Sequence, residues 1–135
     1  MKISISSSMK YRDLVKKVMI DFEKIGLIPL FPNIDYSEEN KDKAETIEEK
    51  KRLALEHYEA IDQADIVYFL TPDGYMGTSC KIELGYAVAK NKRIFFSEST
   101  NDFALDCYVE KIVGVNEIIQ SHFMENDKNK LSNLA

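Results

Sequence analysis

The chain opens on an alternation, Lys2-Ile3-Ser4-Ile5-Ser6, that predicts a short β-strand at the start of a domain. Ser8 is placed to cap a helix running to about Ile25. Within it Leu14, Val15, Val18, Met19, Phe22 and Ile25 recur at helical spacing on one face, with Lys16, Lys17, Asp21 and Lys24 on the other. Gly26 stops this helix, and Leu27 to Phe31 reads as a second strand. Pro29 puts that strand at a sheet edge, because proline cannot donate to a ladder. Residues 32–43 form a polar stretch, long enough for a lid over a site. Ala44 to Gln63 then reads as a helix carrying Ile47, Leu53, Leu55 and Ile61.

Ile66 to Leu70 is a nearly continuous apolar run, the signature of a central parallel strand buried on both faces. Thr71-Pro72-Asp73-Gly74 ends it with turn chemistry. A helix is expected from Thr78 or Ser79 to Lys90, with Ile82, Tyr86 and Ala89 on one side, and then a strand from Arg93 to Phe96. Beyond it, Asp102 to Cys107 reads as a short helix, Lys111 to Val113 as a marginal fifth strand and Val115 to Phe123 as a last helix. The expected division is one domain over residues 1–124 and a polar, frayed tail over 125–135.

Strands alternating with helices predict an α/β fold of three layers: a parallel sheet with helices on both faces, joined by right-handed crossovers. Five strands favour the flavodoxin-like order 2-1-3-4-5. In that order the chain leaves strands 1 and 3 in opposite directions, and ligands bind at this switch point. The loops from Ser6 to Lys10 and from Thr71 to Glu83 should therefore line the site.

Composition narrows the ligand. The 135 residues carry 23 acids against 18 bases, a formal charge of −5, with no basic cluster. An extended nucleic-acid interface is thereby excluded, whereas a small anion held by a helix terminus and one lysine is not. Cys80 and Cys107 form neither a CxxC pair nor a ligand set with the two histidines, so no structural zinc is expected and a reduced, cytoplasmic compartment fits. Residues 1–20 lack an apolar h-region and no run approaches a membrane span, so no membrane partner is expected.

Both expected loops are chemically unusual. Ser6-Ser7-Ser8-Met9-Lys10 places three hydroxyls and a cation where a strand meets a helix, a pattern suited to an oxyanion or hydroxyl ligand as well as to simple capping. Three of the five glycines (Gly74, Gly77, Gly85) fall within twelve residues, and Gly74 and Gly77 would admit a ligand close to the backbone. Thr78 and Ser79 can cap the next helix, with Glu83 just inside it. Neither GxxxxGK[ST] nor GxGxxG occurs.

Ala64-Asp65-Ile66-Val67, Gly77-Thr78, Glu83-Leu84-Gly85-Tyr86-Ala87-Val88-Ala89 and Lys92-Arg93-Ile94 together resemble the nucleoside 2-deoxyribosyltransferase superfamily, which includes the deoxyribonucleoside 5'-monophosphate N-glycosidases. The resemblance covers residues 2–97. It implies a flavodoxin-like homodimer that cleaves the N-glycosidic bond of a (deoxy)nucleoside or nucleotide, with Glu83 as nucleophile. A carboxylate suits an oxocarbenium-like transition state, which it stabilises and can then trap at C1'. In the hydrolase branch Ser8, Lys10 and Thr78 or Ser79 match the groups that hold a 5'-phosphate.

Departures from the family pattern are equally specific. The transferase branch carries an aspartate shortly before its Gly-Thr, where this chain has Met76; its nearest acid is Asp73. Two extra residues separate Gly77-Thr78 from Glu83. The base-contacting acid of relatives falls among Glu56, His57, Tyr58 and Glu59, with His57 closest by count. Neither metal nor organic cofactor is expected. Two other readings follow from these features: a nucleotide-binding module without turnover, and an interaction domain using the acidic segment 35–49.

Overall fold

A computed structural model describes residues 1–32 and 46–125. The lid expected over 32–43 lies, from residue 33 on, outside the described residues, as do 126–135 of the expected tail. Five parallel strands, β1 (Lys2–Ser6), β2 (Ile28–Leu30), β3 (Ile66–Phe69), β4 (Arg93–Phe96) and β5 (Lys111–Ile112), form one sheet in the order β2-β1-β3-β4-β5. Pro29 lies in the edge strand, as its missing N–H requires. The helices are α1 (Arg12–Lys24), α2 (Ile47–Gln63), α3 (Thr78–Ala89), α4 (Phe103–Asp106) and α5 (Val115–Glu125). The fold is the flavodoxin-like one expected.

Strand alternation gives the sheet two unlike faces. Ile3 and Ile5 of β1, Ile66 and Tyr68 of β3 and Phe95 of β4 pack with Val15, Val18, Met19 and Phe22 of α1 and Ile118 of α5. Tyr68, fully buried there, donates its hydroxyl to the Val113 carbonyl at 2.6 Å. On the opposite face Val67, Phe69, Ile94 and Phe96 meet Ile61 of α2 and Cys80, Leu84 and Ala87 of α3. Here β1 presents serines. Ser6 is bonded to Glu83, whereas the buried Ser4 hydroxyl has no hydrogen-bond partner among the described residues.

Helix starts depart from expectation. Ser8 precedes a 3-10 turn, Met9–Tyr11, its side chain makes no capping bond, and α1 begins only at Arg12. Gly77, not Thr78 or Ser79, is the N-cap of α3, again without a side-chain bond. The buried stripe of α3 is Cys80, Glu83, Leu84 and Ala87, while Ile82 is 56% exposed. Apolar residues occur almost all round this helix, so periodicity does not select a face; contact with β3 and β4 does. Thr46 caps α2 by accepting the Glu49 N–H at 3.1 Å.

The C-terminal half of α2 is tied to its neighbours. Tyr58 stacks on Tyr86 at 4.5 Å, and the Tyr86 hydroxyl donates to Asp62 at 2.8 Å. Lys92 donates to the Asp62 and Ala64 carbonyls, both at 2.9 Å, so a cation closes the carbonyl end of the helix. Ile47 and Leu55 remain exposed. Among the described residues no helix is long and apolar enough to cross a membrane.

Candidate active site

The strand ends at the switch point carry the polar groups of the site. β1 and β3 run in register with Ser6 beside Phe69, so Ser6 ends its strand under the first turns of α3. After β3, Thr71 locks to the loop beyond β4 by accepting the Glu98 N–H at 3.0 Å and donating to the Glu98 carbonyl at 2.7 Å. The following turn, Pro72–Gly74, places Asp73 and Gly74 at φ 54° and 78°. A Cβ at Gly74 would lie 2.7 Å from the Ser99 carbonyl oxygen, so that glycine serves the packing of two loops.

Between α2 and α3 lies a cleft of about 670 Å3, a volume in the range of small-molecule sites. Glu83 is 7% exposed and lines it. Ser6 Oγ donates to Glu83 Oε1 at 3.1 Å, and His57 Nδ1 lies 3.4 Å from the same oxygen. Burial pushes the Glu83 carboxyl up to about 7, against the opposing effects of the Ser6 hydrogen bond and the Lys50 charge. Burial, then Lys50, lowers His57 to about 4, so near neutrality its imidazole is uncharged and the contact is not an ion pair. The Phe31 ring sets that imidazole in an edge-to-face contact at 5.3 Å. Burial, then the Glu83 charge, pushes the Cys80 thiol up to about 12, so it stays protonated. Glu83 is the one carboxyl group among the described lining residues.

Of the residues singled out in the sequence, Ser7, Ser8, His57 and Glu83 line the cleft, joined by Gly77, Thr78 and Ser79 at the start of α3. Ser6 sits behind Glu83 as its hydrogen-bond donor. Lys10, Asp73 and Gly74 are not lining residues. Lys10 Nζ stands 3.4 Å from the Tyr75 ring centroid, and Tyr11 meets Tyr75 edge-on at 6.1 Å. The Asp73 N–H donates to Glu98 at 3.2 Å. Met76, at the position where the transferase branch has an aspartate, is 7% exposed within the α3-side core. The sequence reading missed Lys50, Lys51 and Tyr75, which also line the cleft. Lys50 could have been found from His57, since Lys50, Ala54 and His57 share one helical stripe at i, i+4 and i+7.

Among the described residues no three His, Cys, Asp or Glu side chains are grouped to hold a metal ion. No curated protein sequence matches the chain. Among solved structures 19 chains match. One is the CMP N-glycosidase BcmB of Clostridium botulinum, with a TM-score of 0.55 and 17% identity over 89% of this chain and 95% of that one. At that identity the likeness bears on the fold alone. The family model for nucleoside 2-deoxyribosyltransferase matches residues 6–134, nearly the whole length. The chain belongs to the nucleoside 2-deoxyribosyltransferase family.

Proposed function

We propose that this protein cleaves the N-glycosidic bond of a (deoxy)nucleoside or nucleoside 5'-monophosphate, with Glu83 as the nucleophile. The observation that carries the reading is the buried Glu83 carboxyl in the cleft, with Oε1 held by Ser6 and facing His57. Oε2 is then the oxygen that attacks C1'. As the bond to the base breaks, positive charge grows on the sugar, and a carboxylate in a mostly apolar cleft stabilises it more strongly than one in water. The glycosyl ester that forms passes its sugar to water or to a second base.

A 5'-monophosphate is the better substrate on this reading. Ser7 and Ser8 face Thr78 and Ser79 across an α3 start that has no side-chain cap, leaving hydroxyls and first-turn N–H groups for phosphate oxygens. Lys10, seated on Tyr75, is not required for that role. Base release across nucleosides and their 5'-monophosphates, with and without an acceptor base, tests the reading. Release abolished in Glu83→Gln is the expected outcome; unchanged release in that variant refutes the nucleophile. Nucleotide binding without release from any substrate would instead make the protein a binding module.

A homodimer completes the proposal. The exposed Ile47 and Ile82 line the cleft, where a second copy would bury them and narrow its mouth. Light scattering should give twice the monomer mass; a monomer with full activity removes this part.

A further inference from the structure

We infer that Lys50 is the charge that receives the departing base, and that the base is one without an exocyclic amino group, of the uracil or hypoxanthine kind, whose polar substituents are ring carbonyl oxygens. This rests on the Glu83 reading above. When the C1'–N bond breaks, its electron pair goes to the base nitrogen while the Glu83 Oε2–C1' bond forms. The base must then be protonated as it leaves, or leave as an anion that something stabilises. Adenine and cytosine depart well only when a ring nitrogen is protonated, which needs an acid in the cleft.

The described lining residues offer neither a spare carboxylic acid nor an imidazolium for that role. Glu83 is their only carboxyl group and must be ionised to attack. His57 is uncharged near neutrality, and the Cys80 thiol holds its proton. What the α2 wall does supply is positive charge, from Lys50 and Lys51. Lys50 stands on the same helical stripe as His57, seven residues and two turns earlier, and both line the cleft. It lines the same cleft as Glu83, His57 and Cys80, and its charge bears on all three.

An anionic oxo base spreads its charge onto carbonyl oxygens, and an ammonium is a three-donor, no-acceptor partner for them. An exocyclic amino group in the same position would set donor against donor, and no carboxamide lines the described cleft. The base leaves as an anion and takes its proton from water. A second water then attacks C1' in the hydrolytic case, the ester bond to Glu83 breaks, and that water's proton is released. The sum is nucleotide plus water giving base plus sugar phosphate.

The test compares initial rates of base release by the full chain from uridine and cytidine 5'-monophosphates, from inosine and adenosine 5'-monophosphates, and from their deoxy forms. The oxo member of each pair should be favoured by at least about 10-fold in kcat/KM, with a better-placed donor worth about that much. Lys50→Met should lower kcat on the uracil nucleotide about 10²-fold, as loss of one charge-stabilising donor does. That loss should shrink to under about 10-fold on the 5-fluorouracil nucleotide, whose base is a better leaving group, and Lys50→Arg should recover part of it. Lys50 is exposed, so the variants should melt with the native protein. Equal or faster release of amino bases, or equal losses on the parent and fluoro substrates, overturns the inference while the Glu83 reading stands. No release from any substrate overturns both.

Discussion

The two faces of the sheet are built from the same strands and are put to opposite uses. On the α1/α5 face the strand positions are Ile3, Ile5, Ile66, Tyr68 and Phe95, closed over by the apolar stripe of α1. On the α2/α3 face β1 offers Ser4 and Ser6, and the covering helices carry Glu83 and His57 toward a cleft. A one-residue offset along β1 separates a sealed core from a reactive one. Both faces bury an apolar cluster, but the open face also accepts an ionisable group, at a cost that the apolar burial offsets.

Glu83→Gln should sharpen that division most. Base release should fall by at least about 10³-fold, as for loss of a nucleophile. Stability should move the other way. Because the folded-state value of Glu83 is raised to about 7, the fold favours its acid form. That contribution is complete below about pH 4.5 and is lost as pH rises through 7, reaching about 3 kcal/mol at most. Chemical denaturation at pH 8 should find the glutamine variant more stable than the native protein, with the gap closing toward pH 4.5. In the native enzyme kcat/KM should rise with pH through an apparent pKa near 7, since the attacking form is the carboxylate.

Phe22→Ala tests the sealed face. This side chain is fully buried, so unfolding free energy should drop by about 3–5 kcal/mol while release by the folded fraction persists. Ser6→Ala removes the donor to Glu83 Oε1 and should slow release about 10-fold. Its hydrogen bond favours the ionised carboxylate, so the acidic limb of the pH profile should shift upward. A pH limb that stays in place would show that Ser6 does not act on Glu83. Smallest of all, Ser4→Ala deletes a buried hydroxyl without a described partner, two residues away on the same face. It should raise stability by about 1 kcal/mol and leave the rate unchanged.

How far each face could be read from the sequence follows the same division. The stripe of α1, the β1 alternation, the edge proline and the strand order were all legible, because burial against a sheet imposes periods of 3.6 and 2. The open face obeys no such period. In α2 only Ile61 is fully buried among its described residues, and Lys50 looks like any solvated lysine until His57 fixes the facing stripe. In α3 one of the four buried positions is an acid, Glu83, while Ile82 is exposed, which cuts across the usual pattern. Lys10 misleads for another reason: its partner Tyr75 is 65 residues away, and only the fold brings the ring beneath the ammonium. Ser8, read as a cap, makes no side-chain capping bond, since a 3-10 turn intervenes before α1, and it lines the cleft.

The Lys92 clasp on the last carbonyls of α2 gives that helix the mechanics of a cantilever. The ties through Tyr58, Asp62 and Ala64 all lie at its anchored end. Measured from Ala64, His57 stands at a radius of roughly 10 Å and Lys50 at roughly 21 Å. Any pivoting about the anchor therefore sweeps Lys50 about twice as far as His57. The spacing beside Glu83 would then change less than that at the far end of the wall. Such a lever would let one cleft vary in width at its far end while its root beside His57 holds nearly still.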